Sequence, residues 1–245
     1  MNSDDSNRVS IEDGTVEERY VAFCDVLGFS SAVTADFNAA SKVYVDFINQ
    51  VRMLGTFGKA QITVYSDSIL ISARELMPVL STTQFLWWGA LLNDWLIRGG
   101  IAHGRVWELQ QERDLFVVSE PLVKAAQIEQ KVRVPAVQIS PDISIPEEYW
   151  IHRLAEGPFQ SPLIHFNGMN IVNPFNRYWF RSARQRVVQL LDVYPQHSEK
   201  YYWFLALAQS VENGEPLIPG DVLTSLRERG VIEFVPNSAE QPSAT

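Results

Sequence analysis

The chain has 245 residues, of which 46% are hydrophobic and 20% charged, and its formal net charge is −9. This composition supplies enough apolar side chains for a sizeable core and excludes global disorder. The acidic balance argues against a nucleic-acid partner, because proteins that bind nucleic acids present a basic face to the phosphates.

Three further features indicate a cytoplasmic protein without a membrane segment. The single cysteine, Cys24, lies in an apolar run and is interpreted as a reduced core residue. The N-terminal residues are polar and acidic, which does not fit a signal peptide. The most apolar stretch, Val79–Ile97, contains Asn93 and Asp94, so it predicts a core or interface helix instead of a membrane span.

The first predicted elements are a strand and a helix. Residues 1–18 are polar and are predicted to be a disordered lead-in. The apolar, β-prone segment Tyr20–Leu27 predicts a buried strand with one acid, Asp25, in its middle. From Ser30 the apolar side chains recur four residues apart, and this pattern predicts a helix that ends near Leu54.

The chain continues with a predicted hairpin and an alternation of helices and strands. The β-rich segment Gln61–Ala73 is broken by polar residues at 66–68, which predicts two strands joined by a tight turn. The next predictions are a helix at Leu80–Ile97, strands at Gly99–Val106 and Asp114–Val118, a helix at Pro121–Glu129 capped by Ser119, and a strand at Ala136–Ile139. Hairpins mixed with helical crossovers predict an α/β fold, an α+β sandwich in which helices flank a mixed sheet.

The predicted domain organisation follows from a change of character after Pro141. Residues 19–141 are predicted to form the main folded domain, and residues 142–235 a helical extension packed on it. Within this extension, residues Arg184–Val211 have the pattern of one or two helices rich in aromatic residues. The polar tail, residues 236–245, is predicted to be disordered.

Two carboxylates occupy positions where a carboxylate is energetically costly. Asp25 has apolar neighbours in a predicted strand, and Asp67 lies in the turn of the predicted hairpin. A lone acid in a buried strand loses solvation unless a cation or hydrogen-bond donors compensate it. Taken singly, Asp25 is also explained as a helix N-cap and Asp67 as an ordinary turn aspartate.

Taken together, the two acids predict a metal site. A strand end followed by a glycine and a helix, next to a hairpin turn, places both carboxylates at one edge of a mixed sheet. Such a pair holds two divalent cations about 3.5–4 Å apart, the arrangement used for in-line displacement at phosphorus. The backbone N–H groups of residues 26–30, at the predicted helix start, offer a site for the β- and γ-phosphates of a nucleotide.

Four segments carry a resemblance to a known enzyme family. The segments at 23–30 (FCDVLGFS) and 65–68 (YSDS) resemble the two metal motifs of class III nucleotidyl cyclases. The segment at 98–104 (RGGIAHG) is similar to the strand that follows their dimerisation helix, and the segment at 119–129 (SEPLVKAAQIE) is similar to the start of their last active-site helix. The chain most resembles the bacterial Pycsar antiphage cyclases, which make cyclic UMP or cyclic CMP, over residues 20–140.

The resemblance implies a homodimeric enzyme with two Mn²⁺ or Mg²⁺ ions in each active site. It implies that Asp25 and Asp67 bind the metals and that Val26 contributes its carbonyl oxygen. One metal would activate the ribose 3′-hydroxyl for attack on the α-phosphorus, and the other would neutralise the triphosphate as pyrophosphate leaves. Base-reading and transition-state groups would come from the other subunit. The nucleotide contacts expected in the first motif are Phe23, Leu27, Gly28 and Phe29.

Departures from the family pattern indicate a pyrimidine substrate. The lysine that purine cyclases carry four residues before the second aspartate is Thr63 here, and the asparagine and arginine of the last helix become Val123 and Gln127. The purine-reading acid of adenylate cyclases aligns near Phe116. By strand parity, Thr63 and Tyr65 share the face of the second aspartate, so we expect their hydroxyls to contact a smaller base. A hydroxyl donates or accepts, so uracil and cytosine both stay open.

The family's transition-state arginine is therefore missing from its usual position. Negative charge that develops on phosphorus is stabilised best by a guanidinium. We expect Arg98 to supply it. The other cations considered are Arg105, Lys124, Lys131 and Arg133.

The motifs and the resemblance together predict a cytoplasmic uridylate cyclase that converts UTP into cyclic UMP and pyrophosphate. The resemblance further implies that the cyclic product activates a separate effector in antiphage defence. Three alternatives stay open: a cytidylate cyclase that makes cyclic CMP, a non-catalytic cyclase-like dimer that senses a nucleotide, and a purine cyclase with rearranged base recognition.

Overall fold

The computed structural model describes residues 10–57, 59–111, 114–157, 159 and 161–231. Within them, strands and helices are interspersed along the chain. The strands are β1 (Thr15–Leu27), β2 (Gln61–Tyr65), β3 (Ser68–Ala73), β4 (Leu96–Gln111), β5 (Asp114–Ser119), β6 (Val137–Ile139), β7 (Leu163–Phe166) and β8 (Met169–Val172). The α-helices are α1 (Phe29–Ala35), α2 (Phe37–Phe57), α3 (Leu76–Leu92), α4 (Glu120–Lys131), α5 (Glu147–Glu156), α6 (Phe180–Val193), α7 (Ser198–Glu212) and α8 (Gly220–Glu228).

All of these strands belong to one mixed sheet. Its order is β2-β3-β1-β4-β6-β8-β7, and β5 pairs with the C-terminal part of β4. The described strand pairs are antiparallel except for β4 with β6. The predicted fold class, a mixed sheet flanked by helices, is confirmed.

The two faces of the sheet differ in what covers them. In β1, the side chains at 22, 24 and 26 are buried in the core against which α3 packs, whereas those at 23, 25 and 27 are half-buried on the opposite face. This alternation follows from the two-residue period of a strand. On the half-open face α4 packs directly over Gly100, where an added Cβ would overlap the Ala125 carbonyl oxygen. A glycine at this position therefore lets α4 approach the sheet closely.

The lead-in predicted through residue 18 ends earlier in the structure. A short 3₁₀ helix occupies Ile11–Asp13, and β1 begins at Thr15 and pairs with β4 from its first residue. Residues 1–9 lie outside the described residues. The prediction was wrong for residues 15–18. A polar stretch at the end of a paired strand has the same sequence character as a disordered segment.

The helix predicted at Leu80–Ile97 ends earlier as well. α3 stops at Leu92, and Ile97 is a fully buried residue of β4, which also extends the strand predicted at Gly99–Val106 at both ends. A turn in which Asp94 has a φ of 64° separates the two elements. Apolar periodicity does not show where a buried helix gives way to a buried strand, which explains the error.

The region after residue 141 is not entirely helical, in contrast to the prediction for residues 142–235. β7 and β8 form a hairpin that joins the sheet through β6. The helix pair predicted at Arg184–Val211 is present as α6 and α7, and α7 packs on α3 through Trp87 and Phe204, whose ring centroids are 5.7 Å apart. The predicted tail from residue 236 lies outside the described residues.

Cys24 is a fully buried free thiol, as predicted, and burial raises its pKa. Among the described residues, none of the helices combines the length and the apolar character that crossing a bilayer requires.

Candidate active site

The turn between β2 and β3 brings Asp67 beside Asp25 near the end of β1. β3 pairs with β1 in a register that sets Asp25 opposite Ser68. The Val26 N–H donates a hydrogen bond of 3.0 Å to the Asp67 carbonyl oxygen, which ties the turn to the strand end. Ser66 takes a φ of 57°, so the turn is tight, as predicted. Two acids from distant parts of the chain therefore meet at one place on the sheet.

The two carboxylates repel each other in this arrangement. Burial and the nearby Asp67 charge raise the pKa of Asp25, and the Arg98 guanidinium offsets only part of this effect. Burial and the same Asp67 charge raise the pKa of Tyr44, whose hydroxyl donates to the Ser66 carbonyl oxygen at 2.7 Å. A pair of partly buried anions in this state is a site that a cation would stabilise.

Arg98 and Glu129 extend the charged cluster toward α4. The β1–β4 register sets Asp25 opposite Arg98, and Arg98 Nη2 lies 3.4 Å from Asp25 Oδ2. Arg98 Nε lies 2.6 Å from Glu129 Oε1, and Glu129 is only 7% exposed. This contact is an ion pair without hydrogen-bond alignment. Arg98 is therefore held between the candidate metal ligand and a buried carboxylate.

Ser30 and Gly28 shape the segment that links β1 to α1. Gly28 has a φ of 89°, a left-handed conformation that glycine adopts readily, and the chain turns there from the strand into the helix. The Ser30 hydroxyl donates to Asp67 Oδ2 at 2.9 Å. This hydrogen bond orients one oxygen of the second carboxylate.

The four nucleotide contacts predicted in residues 23–29 differ in how far they are buried. Phe23 and Leu27 are half-buried on the same face as Asp25, and Gly28 is exposed. The Phe29 ring is buried in the core, where it contacts the rings of Tyr44 and Trp95. The Phe29 ring therefore faces away from the site, and Phe29 as a nucleotide contact stays a prediction that concerns its backbone N–H.

The cluster fits divalent cations in its charge and its donor atoms. It contains three carboxylates and one guanidinium, which gives a formal charge of −2. These four residues are Asp25, Asp67, Glu129 and Arg98. Carboxylate and carbonyl oxygens are the ligands that Mg²⁺ and Mn²⁺ prefer. In the described part of the chain, no group of three or more His, Cys, Asp or Glu side chains converges on one metal position. The two aspartates and the Val26 carbonyl therefore offer an incomplete ligand set, which triphosphate oxygens and water would complete.

A groove on the half-open face carries one of the two predicted base contacts. Residues of β1, β2, β3, β4, β5 and α4 line this base groove, among them Thr63, Leu70, Val117 and Leu122. Thr63 and Tyr65 are both exposed and share a face of β2, as strand parity predicts. Tyr65 is 82% exposed and lies outside the groove lining. The structure therefore brings Thr63 into the groove and leaves Tyr65 at its outer edge.

Gln61 also lines the base groove, and the sequence reasoning missed it. Arg19 Nη1 donates to Gln61 Oε1 at 3.1 Å and to Glu108 Oε2 at 2.9 Å. A guanidinium has only donors, so the Gln61 oxygen must face Arg19 and the amide NH₂ group must face away from it. Gln61 thus presents an oriented hydrogen-bond donor at the groove.

The cations considered for the transition state are not equivalent in the structure. Arg98 contacts Asp25, as described above. Arg105 pairs with Glu120 at 2.5 Å, and Lys124 lies 3.9 Å from Asp142. The remaining two, Lys131 and Arg133, are exposed. Of these five candidates, Arg98 is the one that the fold brings to the two aspartates.

The sequence reasoning also missed Glu129 as a member of the site. Its position carries a signal in the sequence, because Pro121, Ala125 and Glu129 recur four residues apart and all three are buried on one side of α4. An acid in the buried stripe of an amphipathic helix requires a cation. The identity of that cation, Arg98, depends on how α4 packs on β4.

Comparisons with known proteins find similarity only to solved structures of low sequence identity. No family model and no curated protein matches the chain. The crystal structure of the adenylyl cyclase CyaB from P. aeruginosa is 11% identical, with a TM-score of 0.44 over 53% of this chain and 79% of that chain. The guanylyl cyclase Cya2 is 17% identical, with a TM-score of 0.46 over 66% and 93% of the two chains. The guanylate cyclase domain of RhGC from Catenaria anguillulae, solved in complex with GTP, is 15% identical, with a TM-score of 0.40 over 51% and 80%. Likeness at this level concerns the fold alone.

Proposed function

We propose that the chain is a nucleotidyl cyclase that converts UTP into cyclic UMP and pyrophosphate. The observation that carries the proposal is the meeting of Asp25 and Asp67 near one strand end, where Arg98 offsets only part of their mutual repulsion. The motif resemblance at these same positions supports the same activity. The single buried free cysteine is in keeping with a cytoplasmic location.

Asp25, Asp67 and the Val26 carbonyl would hold two Mn²⁺ or Mg²⁺ ions. When bound, these ions lower the pKa of the ribose 3′-hydroxyl and neutralise the triphosphate. The aspartates suit this role because two neighbouring, partly buried anions are strongly stabilised by divalent charge. Ser30 orients Asp67 through its 2.9 Å hydrogen bond, so this ligand is positioned before a metal arrives.

The reaction is an in-line displacement at the α-phosphorus. The ribose 3′-oxygen forms a bond to phosphorus, the bond to the oxygen that bridges to the β-phosphate breaks, and the 3′-hydroxyl proton passes to solvent. Arg98, beside Asp25, would neutralise the negative charge that develops on the phosphoryl oxygens. Glu129 holds the guanidinium at 2.6 Å and acts as a positioning residue.

The orientation of Gln61 supports uracil over cytosine. Its oxygen accepts from Arg19, so its NH₂ group is the part available to a base in the groove. A donor at this place matches the O4 carbonyl of uracil and opposes the amino group that cytosine carries at the same ring position. Thr63 lines the same groove with a hydroxyl that either donates or accepts.

The exposed apolar surface around β5 supports a homodimer. The side chains that form it are Leu115, Phe116, Val117, Val118 and Val123, which are between 42% and 66% exposed. Exposed apolar side chains on both faces of one strand are typical of an interaction site. A second copy would cover it and bring the base groove of one subunit to the nucleotide held by the aspartates of the other.

We assign the biological role from the resemblance alone. The cyclic product would act as a second messenger that activates a separate effector during phage infection.

A second candidate function is a non-catalytic dimer that binds a nucleotide as a sensor. Val123 and Gln127 favour it, because both are exposed on α4 at the positions of the family's asparagine and arginine. The paired aspartates oppose it, since a protein without catalytic activity need not keep two partly buried acids whose repulsion destabilises the fold. Its signature would be thermal stabilisation by UTP and Mn²⁺ without turnover.

Product analysis tests the proposed function. The protein is incubated with each of the four nucleoside triphosphates and Mn²⁺, and the products are resolved by chromatography. We expect cyclic UMP and pyrophosphate from UTP, less cyclic CMP from CTP, and no product from the Asp25→Asn variant. The absence of any cyclic product from folded, dimeric protein would contradict the proposal.

Mixed subunits test whether each site is built from two chains. Asp25→Asn removes a metal ligand, and Thr63→Arg fills the base groove, so each variant alone is expected to be inactive. An equal mixture forms heterodimers with one intact site, and about a quarter of the wild-type activity should return. If the mixture stays inactive while the subunits exchange, metal ligands and base groove belong to the same chain.

A further inference from the structure

A second cavity connects the C-terminal helices to the strand end that carries Asp25. One wall consists of Gly28 and Ser31, from the segment that enters α1. The opposite wall includes His197 and Lys200, at the start of α7. The C-terminal region therefore contributes side chains to the surroundings of the phosphate-binding segment.

This phosphate-end cavity lies on the same sheet face as the metal site. Its floor contains Leu27 and Leu96, which are paired with each other in the β1–β4 register. Leu27 is two residues beyond Asp25, and Leu96 is two residues before Arg98, so all four side chains share one face. Two residues of a strand span about 7 Å. The floor of the cavity therefore lies about 7 Å further along this face than Asp25 and Arg98.

One cation of the cavity, Lys200, has no counter-charge among the described residues. Asp94, an acid of its lining, is already paired with Arg186 at 2.5 Å. Within the described ranges, no carboxylate lies at ion-pair distance from Lys200, which is itself partly buried. A partly buried ammonium group without a partner is stabilised when an anion arrives.

We propose that Lys200 binds the β- and γ-phosphates of the triphosphate. The inference rests on the proposed function, because it takes the α-phosphorus to be beside Asp25 and Arg98. From there the outer phosphates extend past Gly28 into the cavity, where Lys200 and the neighbouring His197 meet them. In this arrangement the C-terminal helices are part of the active site. They would still contact the outer phosphates after these have become pyrophosphate.

The Lys200→Met variant tests this assignment through two binding measurements. We expect the KM for UTP to rise about 10-fold or more, because one charge-assisted contact is lost. The Kd for inorganic tripolyphosphate with Mn²⁺, measured by calorimetry, should rise by a similar factor. The Kd for cyclic UMP, which has no outer phosphates, should stay unchanged. Lys200→Arg should retain most of the affinity.

Lys42→Met is the matched control, since Lys42 is exposed on α2 away from both cavities, and it should behave as wild type. A Kd for tripolyphosphate within about two-fold of wild type in Lys200→Met would overturn the inference. If Lys200→Met fails to fold by circular dichroism, Lys200→Gln keeps a polar stem and answers the same question.

The two binding readouts separate this inference from the proposed function. The protein could bind tripolyphosphate in a way that depends on Lys200 and yet form no cyclic nucleotide. That result would support the phosphate site and contradict the proposed cyclase activity. If Lys200→Met forms cyclic UMP with an unchanged KM for UTP, the result would support the cyclase activity and contradict the phosphate site at Lys200.

Discussion

The two ends of β1 both carry charged clusters, and only one of the two is balanced. At the N-terminal end, the balanced cluster consists of Glu17, Arg19, Arg74 and Glu108, with ion-pair contacts of 2.5–3.1 Å. Hydrogen bonds from Arg74 and Arg19 lower the pKa of Glu17. Two acids and two guanidinium groups leave no net charge there.

At the other end, the site cluster consists of Asp25, Asp67, Arg98 and Glu129. Three carboxylates share one guanidinium, and burial and the Asp67 charge raise the pKa of Asp25. The balanced cluster is neutral by itself, whereas the site cluster has an excess of negative charge that a bound cation would offset. The excess charge, and not the number of charged groups, therefore distinguishes the candidate metal site from an ion-pair network that is neutral by itself.

The largest expected effect separates the two clusters by activity. Asp25→Asn and Asp67→Asn each remove a proposed metal ligand, so the rate of cyclic UMP formation should fall about 10³-fold or more. Arg74→Gln breaks the balanced cluster and should change the rate by less than about three-fold. The measurement is the initial rate at saturating UTP and Mn²⁺. Equal losses in the two clusters would contradict the distinction.

The next effect concerns the position of Arg98. Glu129→Gln removes the carboxylate that holds the guanidinium, and kcat should fall about 10- to 100-fold with little change in the KM for UTP. Glu129→Asp should restore part of the rate. Glu212→Gln, which breaks the 2.7 Å pair with Arg184 on α6, is the matched control. A purely structural role would lower the thermal stability of Glu129→Gln and leave kcat intact.

Base choice should respond to Gln61. Gln61→Ala removes the oriented donor, so the ratio of kcat/KM for UTP to that for CTP should fall about 3- to 10-fold. Gln61→Glu offers only acceptors, which favour the amino group of cytosine, and should lower the ratio further. A ratio that both variants leave unchanged would show that Gln61 does not read the base.

The smallest expected effect is on stability without metal. The raised pKa of Asp25 means that its ionised form is less favourable in the folded than in the unfolded chain, so at neutral pH the charge destabilises the fold. In metal-free buffer the Tm of Asp25→Asn should equal or exceed that of wild type, whereas Arg74→Gln should lower the Tm. Mn²⁺ should then stabilise wild type more than Asp25→Asn. A Tm of Asp25→Asn below that of Arg74→Gln would contradict the assignment of excess charge.

The pairing of Asp25 with Asp67 was predictable because its signals are local. A strand that ends at a glycine, and a polar break within a β-rich segment, each determine the position of one carboxylate. A mixed sheet then brings the strand end and the turn together. Strand parity likewise predicted that Thr63 and Tyr65 share one face of β2.

The rest of the site depends on long-range packing that local patterns do not encode. Glu129 reaches Arg98 only because α4 packs closely over Gly100. Gln61 is oriented by Arg19, which lies on β1, two strands away in the sheet. The β7–β8 hairpin was missed because its strands have four residues each, too few for a period to be recognised.

Anomalous diffraction from crystals grown with Mn²⁺ and a non-hydrolysable UTP analogue tests the central claim most directly. We expect two Mn²⁺ peaks about 3.5–4 Å apart, each within about 2–2.5 Å of oxygens from Asp25 and Asp67. Mn²⁺ bound elsewhere, or an analogue whose phosphates make no contact with these aspartates or their metals, would contradict it.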